Sequence, residues 1–342
     1  MLVERLKDVD AFVVFDLDDA PVSAGVVRSA PKILVDGATW LARTATYQFA
    51  SFGIQAGGAS AGVNASPDAR RSAIESFVAE VRPWVESRRF VPDAAKGVAT
   101  DDFVALRDVD PRPAGFWDAA PDLLAATIVA STELAADGLD GRTVAIEGFD
   151  HVGVRTATEL GSRGARIVAI GTAGGTALQE SGFDVSAVAA AWQAHGTELV
   201  RELSPEPGPA GEVLGVEADV LIVGSRAGVI DHGVAAGCSC RVVVPSGPIP
   251  VTAKGLAVLR RQGVRVLPDF ITTAGAMLGG LAPGLDGASG TTRSVDEVSA
   301  QVREVLGEVL DHEQGPVLGA CHRAETFLRT WREQLPFGRP LA

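Results

Sequence analysis

Short continuous apolar runs alternate along the chain with stretches in which apolar residues recur every three to four positions. The two spacings predict strands and helices respectively. "AFVVFDLD" (11–18) and "AGVVRSA" (24–30) read as strands, and a helix follows through "ILVDGATWLARTATYQFASF". The Gly-rich stretch "IQAGGASAGV" (54–63) reads as a turn that presents Ser60. In "SPDARRSAIESFVAEVRPWVESR", Ile74, Phe77, Val78, Val81 and Trp84 fall on one helical face, with Ser66 as cap and Pro67 at the first helical position. "KGVAT" and "FVAL" are strand candidates on either side of Asp101-Asp102.

"DPRPAGFWDAAPD" (110–122), rich in Pro and turn formers, reads as a hinge into a second domain. A helix, "LLAATIVASTELAADG", stops at Gly138, and a β-α-β unit follows: "RTVAIEGF", "DHVGVRTATELGSRG", "ARIVAIG". Further buried strands are "ADVLIVGS", "RVVVPS" and "VRVLP". Continuous rather than alternating apolarity predicts a parallel sheet covered on both faces. After a Gly-rich segment (279–291), "SVDE" is a capping box of Ser294 and Glu297, and a last helix spans roughly 316–335. The expected class is α/β with two domains. Residues 1–118, completed by helices in 285–342, form a mixed-sheet domain for substrate and oligomerisation. Residues 119–284 form a Rossmann-like nucleotide domain with a deep cleft against the first.

Composition narrows the class of partner. The 342 residues are 46% apolar and carry a net charge of −13, with no basic stretch for a phosphate backbone to bind. Nucleic acid is therefore not an expected partner. No run of eighteen apolar residues occurs and "MLVERLKDVDAF" lacks an apolar core, so neither membrane nor secretion is expected. Cys238, Cys240 and Cys321 have no disulfide spacing, which makes a reducing cytoplasm the default. The C-x-C pair has no matching His or Cys cluster, and His195, His232, His312 and His322 carry no ligand spacing, so no metal is expected.

The strand–turn–helix "IEGFDHVG" is the setting in which G-x-G-x-x-G binds a dinucleotide pyrophosphate. Gly148 and Gly153 hold the outer positions, and the second glycine is Asp150. A carboxylate about 4 Å from a phosphate costs roughly 4 kcal/mol at an effective dielectric near 20, about three decades in affinity. The next strand should end in an acid for the adenosine ribose, and it offers Gly171 and Thr172 instead.

Taken in order, these segments resemble the glutamate/leucine/phenylalanine/valine dehydrogenase family over about residues 24–280. "GVVRSAP" resembles the family's G-G-x-R strand, "TYQFA" its T-Y-K-N-A helix and "GGASAGV" its G-G-x-K-G-G turn. "VATDDFVALRDVD" resembles the segment of the catalytic aspartate, and "GLDGRTVAIEGFDHVG" the nucleotide turn. "VVVPSGPIPVTA" and "GVRVLPDFITTAGAM" resemble later motifs. The resemblance implies NAD or NADP as cofactor, a small molecule in an interdomain cleft, and homo-oligomers. It implies Asp101 (or Asp102, with a shift of one) as the catalytic acid/base. Arg28, Gln48, Gly57, Gly58, Ser60 and Thr273 fall on the substrate side. Gly148, Asp150, His151, Val152, Gly153, Thr172, Ser225, Arg226 and Ser246 fall on the cofactor side.

The family's deamination uses one lysine to hold the substrate carboxylate and a second to activate water. Their positions are Gln48 and Ser60 here, and the only lysines, Lys7, Lys32, Lys96 and Lys254, match neither. Thr273, Ser246 and Gly228 stand where the resemblance implies asparagines, and Leu123 where it implies a threonine. Three readings follow. One is an NAD(P)-linked oxidoreductase acting on C–N bonds with altered substrate or chemistry. Another is a pseudoenzyme that binds a metabolite or a partner subunit. A third is a non-redox lyase or cyclase using Asp101. For Arg28, pairing with a structural acid and holding a substrate carboxylate are both open; for Arg226, pairing with Asp150 and contacting an anionic ligand are. His151 pairs with Asp150 as an acid/base couple or only within the turn.

Overall fold

Strand β2 (Ala11–Phe15) is buried at every position because it lies inside a sheet with helices on both faces. The computed structural model describes residues 1–285 and 291–341. The chain divides into two compact units. The first takes Met1–Trp117, Gly280–Thr292 and Cys321–Leu341, and the second Asp118–Gly279 and Arg293–Ala320. The helix Val295–Val309, expected with the first domain, thus falls in the second unit.

In the first unit, β1 (Leu2–Arg5), β2, β3 (Ser23–Ala30), β4 (Gly57–Asn64) and β5 (Val91–Ala94) form a mixed sheet of order β1-β2-β4-β3-β5. Helix α2 (Arg70–Glu86) buries Ile74, Phe77, Val78, Val81 and Val85 on the face carrying Val13, Phe15, Val27, Ala59 and Ala61. Helix α1 (Val35–Ser51) lays Ala38 and Ala42 on the opposite face, against Phe12 and Val14.

Several segments depart from the structure their local pattern predicts. "GGASAGV" is not a turn but the central strand β4, paired with both β2 and β3. Its glycines serve packing: a Cβ on Gly58 would lie 1.8 Å from the Ala42 carbonyl of α1. "FVAL" lies in a 3-10 helix, Thr100–Leu106, because Phe103 and Leu106 bury at i and i+3, and "KGVAT" forms no strand. The strand of that region is β5, just upstream. Ser66 does not cap α2, which starts at Arg70 after a turn. Helix α3 (Phe116–Ala135) begins inside the expected hinge and runs through Pro121.

Buried ion pairs tie helix and loop together in the first unit. Arg43 of α1 grips Asp16, with Nε 2.8 Å from both carboxylate oxygens and Nη2 2.7 Å from one. Both side chains are almost wholly buried, and Arg43 Nη1 also donates to the carbonyls of Phe337 and Gly338. Arg112, in the expected hinge, is buried between Asp110 and Asp93 and faces the rings of Phe116 and Trp117.

The second unit holds a six-stranded sheet in the order β11-β10-β9-β6-β7-β8. Strands β6 (Thr143–Glu147), β7 (Arg166–Thr172), β9 (Ala218–Val223), β10 (Cys240–Pro245) and β11 (Arg265–Val266) run parallel. The added edge strand β8 (Gly175–Leu178), which no apolar run announces, is antiparallel. Ser294 and Glu297 form the expected capping box. The last long helix is Pro316–Leu328, shorter than expected, and residues 286–290 of the Gly-rich segment lie outside the described residues.

Asp269 begins a short helix (Asp269–Thr272) and is buried among apolar residues of this unit. Its Oδ2 accepts from Ile249 N at 2.7 Å, fixing Ile249 at φ +52°, a left-handed conformation that a β-branched residue rarely adopts. Burial pushes the carboxyl up to about 6, against the hydrogen bonds it accepts. A carboxyl raised in the folded state binds its proton more tightly folded than unfolded. Its ionisation therefore costs stability, increasingly as pH rises from about 4 to about 6, by about 3 kcal/mol in all. Asp269→Asn, which retains an acceptor for Ile249, is expected to flatten the pH dependence of urea unfolding in that window. An unchanged profile would refute the assignment.

Candidate functional site

The crevice begins where β6 ends. Gly148 has φ +72°, and a Cβ there would lie 2.7 Å from Ser225 N, so the turn packs directly on the end of β9. Helix α4 (His151–Ser162) starts immediately after, with Asp150 as its N-cap. Asp150 Oδ1 accepts from Val152 N and Gly153 N, each at 2.9 Å. Those two donors and the positive end of the helix dipole are what an anion at a helix N-terminus uses. The carboxylate of Asp150 already takes them.

The surrounding groups are similarly engaged. Glu147, buried at the end of β6, accepts from Gly224 N and Ser225 N at 3.1 Å and ties β6 to β9. Thr172, at the end of β7, donates to the Thr197 carbonyl at 2.6 Å and accepts from Gly174 N. His151 Nδ1 is 3.9 Å from Asp150 Oδ2, with both side chains more than half exposed, so the two share a turn without a hydrogen bond. Arg226 is exposed and makes no ion pair with Asp150 among the described residues. Asp231, capping the next short helix, sits below the usual carboxylate range chiefly through its bond from Val234 N, with Arg226 a minor contributor. A small pocket remains, lined by Gly148, Asp150, Gly153, Thr156, Gly224 and Ser246. Thr156 is buried, and its hydroxyl has no hydrogen-bond partner.

Within the first unit, Gly58, Ser60 and Arg28 share the face of the sheet that α1 covers. Ser60 pairs with Val14, and Arg28 with Gly62, whose absent side chain makes room for Phe12 and Ile33. Ser60 is fully buried and its Oγ has no partner. Arg28 Nε and Nη2 are buried without partners, so of its two open readings the structural acid is absent among the described residues, and burial lowers its pKa. Gly57 lies on the opposite face, where a Cβ would meet Ala20 and Ser23. Gln48 is half-buried on α1, and Thr273 donates to the Asp269 carbonyl in the second unit.

Asp101, the acid/base that the resemblance implies, is exposed on the 3-10 helix and 3.3 Å from Arg107. Asp102 is the more buried of the pair and holds Ala99 N and Arg70. The buried roles of Glu147, Asp16 and Arg112 escaped sequence reasoning. Glu147 and Asp16 each left a sign, as an acid closing a run of apolar residues, and Arg112 left none.

Because α1 lies across Ser60, a longer side chain there has nowhere to go. Ser60→Lys is expected to destabilise the fold by at least about 2 kcal/mol, through overpacking and the burial of an ammonium. Denaturant unfolding measures this, and a variant of unchanged stability would show that the helix yields.

Comparison with known proteins places this architecture. The sequence profile of the glutamate/leucine/phenylalanine/valine dehydrogenases matches residues 123–312, more than half of the chain. The chain belongs to that family. Glutamate dehydrogenase A2 of Halobacterium salinarum is 32% identical over 168 residues, 49% of this chain and 40% of the relative. The NADP-specific glutamate dehydrogenase of Saccharolobus shibatae is 28% identical over 160 residues, 47% of this chain and 38% of its own length. The chain thus spans about two fifths of the curated relatives it matches first. Among solved structures, the hetero-hexameric glutamate dehydrogenase of Thermus thermophilus, in its Leu-bound form, superposes with a TM-score of 0.76 at 20% identity. That match covers 95% of this chain and 86% of the other. The L-tryptophan dehydrogenase of Nostoc punctiforme superposes with a TM-score of 0.63 at 17% identity, over 96% of each chain.

A dinucleotide placed with its pyrophosphate at the start of α4 would find both backbone donors of that helix end bonded to Asp150. Among the described residues, no group of three or more His, Cys, Asp or Glu could hold a metal, and no helix is long and apolar enough to cross a membrane.

Proposed function

We propose that this chain is a non-dehydrogenating member of the family, a pseudoenzyme that uses the scaffold for binding and does not carry out NAD(P)-linked deamination of amino acids. One observation carries the reading: the Asp150 carboxylate is bonded to both backbone donors at the start of α4. A pyrophosphate at that helix end meets a negative charge where the fold otherwise supplies a positive one. The engaged hydroxyl of Thr172 at the end of the next strand supports it, as does the absence of a cation at positions 48 and 60.

Titration of the chain with NADH and NADPH, followed by nicotinamide fluorescence, tests it. No saturable binding at millimolar cofactor is expected, and no deamination above background with any common amino acid. Saturable binding or turnover would overturn the reading and favour the oxidoreductase alternative. Assembly with further subunits, its own or those of an active relative, is part of the same proposal. It rests on the family and on the hetero-hexameric Thermus thermophilus structure.

A further inference from the structure

A second cavity lies at the opposite end of the parallel sheet from Asp150. It has a volume of about 290 Å³ and is lined by the first residues of β9, β10 and β11, by Arg142 just before β6, and by the end of α3. Arg142, Arg241 and Arg265 line it together with Asp137, Asp219 and Gln262. A concentration of three guanidinium groups runs against the chain's net charge of −13.

Asp219 organises this cluster. Its Oδ2 accepts from Thr143 N at 3.0 Å and Thr143 Oγ1 at 3.1 Å, and its Oδ1 lies 3.7 Å from Arg142 and 3.8 Å from Arg241. At those separations the two guanidinium groups are held near one carboxylate without hydrogen bonds to it. Neither side chain hydrogen-bonds to any described residue, although Arg142 is only 30% exposed. Arg265 is anchored by the Ala135 carbonyl at 3.0 Å and lies 3.5 Å from Asp311.

Planar N–H forks with unused donors, converging on one cavity, match the tetrahedral oxygens of a phosphoryl group. We propose that this cavity binds a small phosphorylated metabolite. Its phosphoryl group meets Arg142 and Arg241, while Asp137, Asp219 and Gln262 offer acceptors to its hydroxyl groups. Arg142, Arg241 and Arg265 are offset by Asp137, Asp219 and Asp311, so the attraction for a phosphoryl group comes from the unused N–H donors and not from net charge. The volume suits a molecule of sugar-phosphate size. The site is independent of the crevice at Asp150, and its test does not depend on whether the chain binds NAD(P).

Isothermal titration of the chain with inorganic phosphate and with glycerol 3-phosphate, at constant ionic strength, tests the assignment. Saturable binding of either probe is expected. Arg241→Ala, at a side chain 74% exposed, and Arg142→Gln are each expected to weaken it by at least about tenfold. Matched thermal unfolding confirms that the variants are folded. Non-saturating heats in the wild type, or equal affinity in a folded Arg241→Ala variant, would overturn the assignment.

Discussion

Asp150→Gly is expected to raise the affinity of the chain for NADH by about two to three orders of magnitude. The substitution removes a negative charge from the position of the pyrophosphate and frees Val152 N and Gly153 N for a ligand. At about 4 Å and an effective dielectric near 20 the repulsion is roughly 4 kcal/mol, so the expected gain approaches a thousandfold in affinity. The helix loses little, since glycine replaces a capping side chain at a cost of only a few tenths of a kcal/mol. Asp150→Asn provides the control. It retains an acceptor for the helix donors while discarding the charge, so its affinity is expected to fall between the other two. If Asp150→Gly binds no tighter than the wild type, the barrier is not this carboxylate, and the explanation moves to Thr172 and the ribose side of the crevice.

Breaking the Asp16–Arg43 pair is expected to destabilise the first unit by about 3–5 kcal/mol, because either single substitution strands a charge away from water. Arg43→Ala leaves Asp16 with no exposed side-chain surface and no cation, and releases the carbonyls of Phe337 and Gly338 as well. Asp16→Ala leaves the guanidinium with those carbonyls only. Replacing both residues by apolar ones of similar size is expected to recover much of the loss, since a buried pair contributes little beyond the penalty of halving it. Urea unfolding of the three variants separates the outcomes. Three equal losses would show that Arg43 acts through packing rather than charge.

Much of this fold was legible in the sequence where one spacing ran uninterrupted. The β-α-β of the second unit, the helical face of Ile74, Phe77, Val78 and Val81, and the Ser294–Glu297 box each follow from local chemistry that packing does not oppose. Glycines misled where tertiary contact decided. In "GGASAGV" they read as freedom to turn, yet they are there so that α1 can approach β4 and Phe12 can fit beside Gly62. "FVAL" failed for a different reason: four apolar-looking residues are too few to tell i, i+2 burial from i, i+3.

The candidate site was legible in its positions more than in its state. Position 150 could be marked as an anomaly from the motif alone, and the repulsion at it follows from charge. That its carboxylate caps α4 depends on φ and ψ at one residue, which no spacing reveals. Asp101 and Asp102 are neighbours of one type, and only the bonds from Ala99 N and Arg70 separate the anchored acid from the solvated one. The arginines of the second cavity are even less visible, being scattered from 142 to 265 and gathered only by strand order.

The first unit is assembled from pieces that flank the second. Arg43 bonds to carbonyls 294 and 295 residues downstream, and Tyr47 to Glu325 across 278. During synthesis the amino-terminal sheet and α1 emerge early, but their buried cation has no carbonyls to grip until the whole of the second unit has left the ribosome. The second unit is free to fold as it is made, while the first can close its apolar core from residues before position 110 but leaves Arg43 and Tyr47 waiting for partners near the carboxy-terminus. This order of birth makes the buried polar links, rather than the apolar core, the last part of the amino-terminal sheet to be completed.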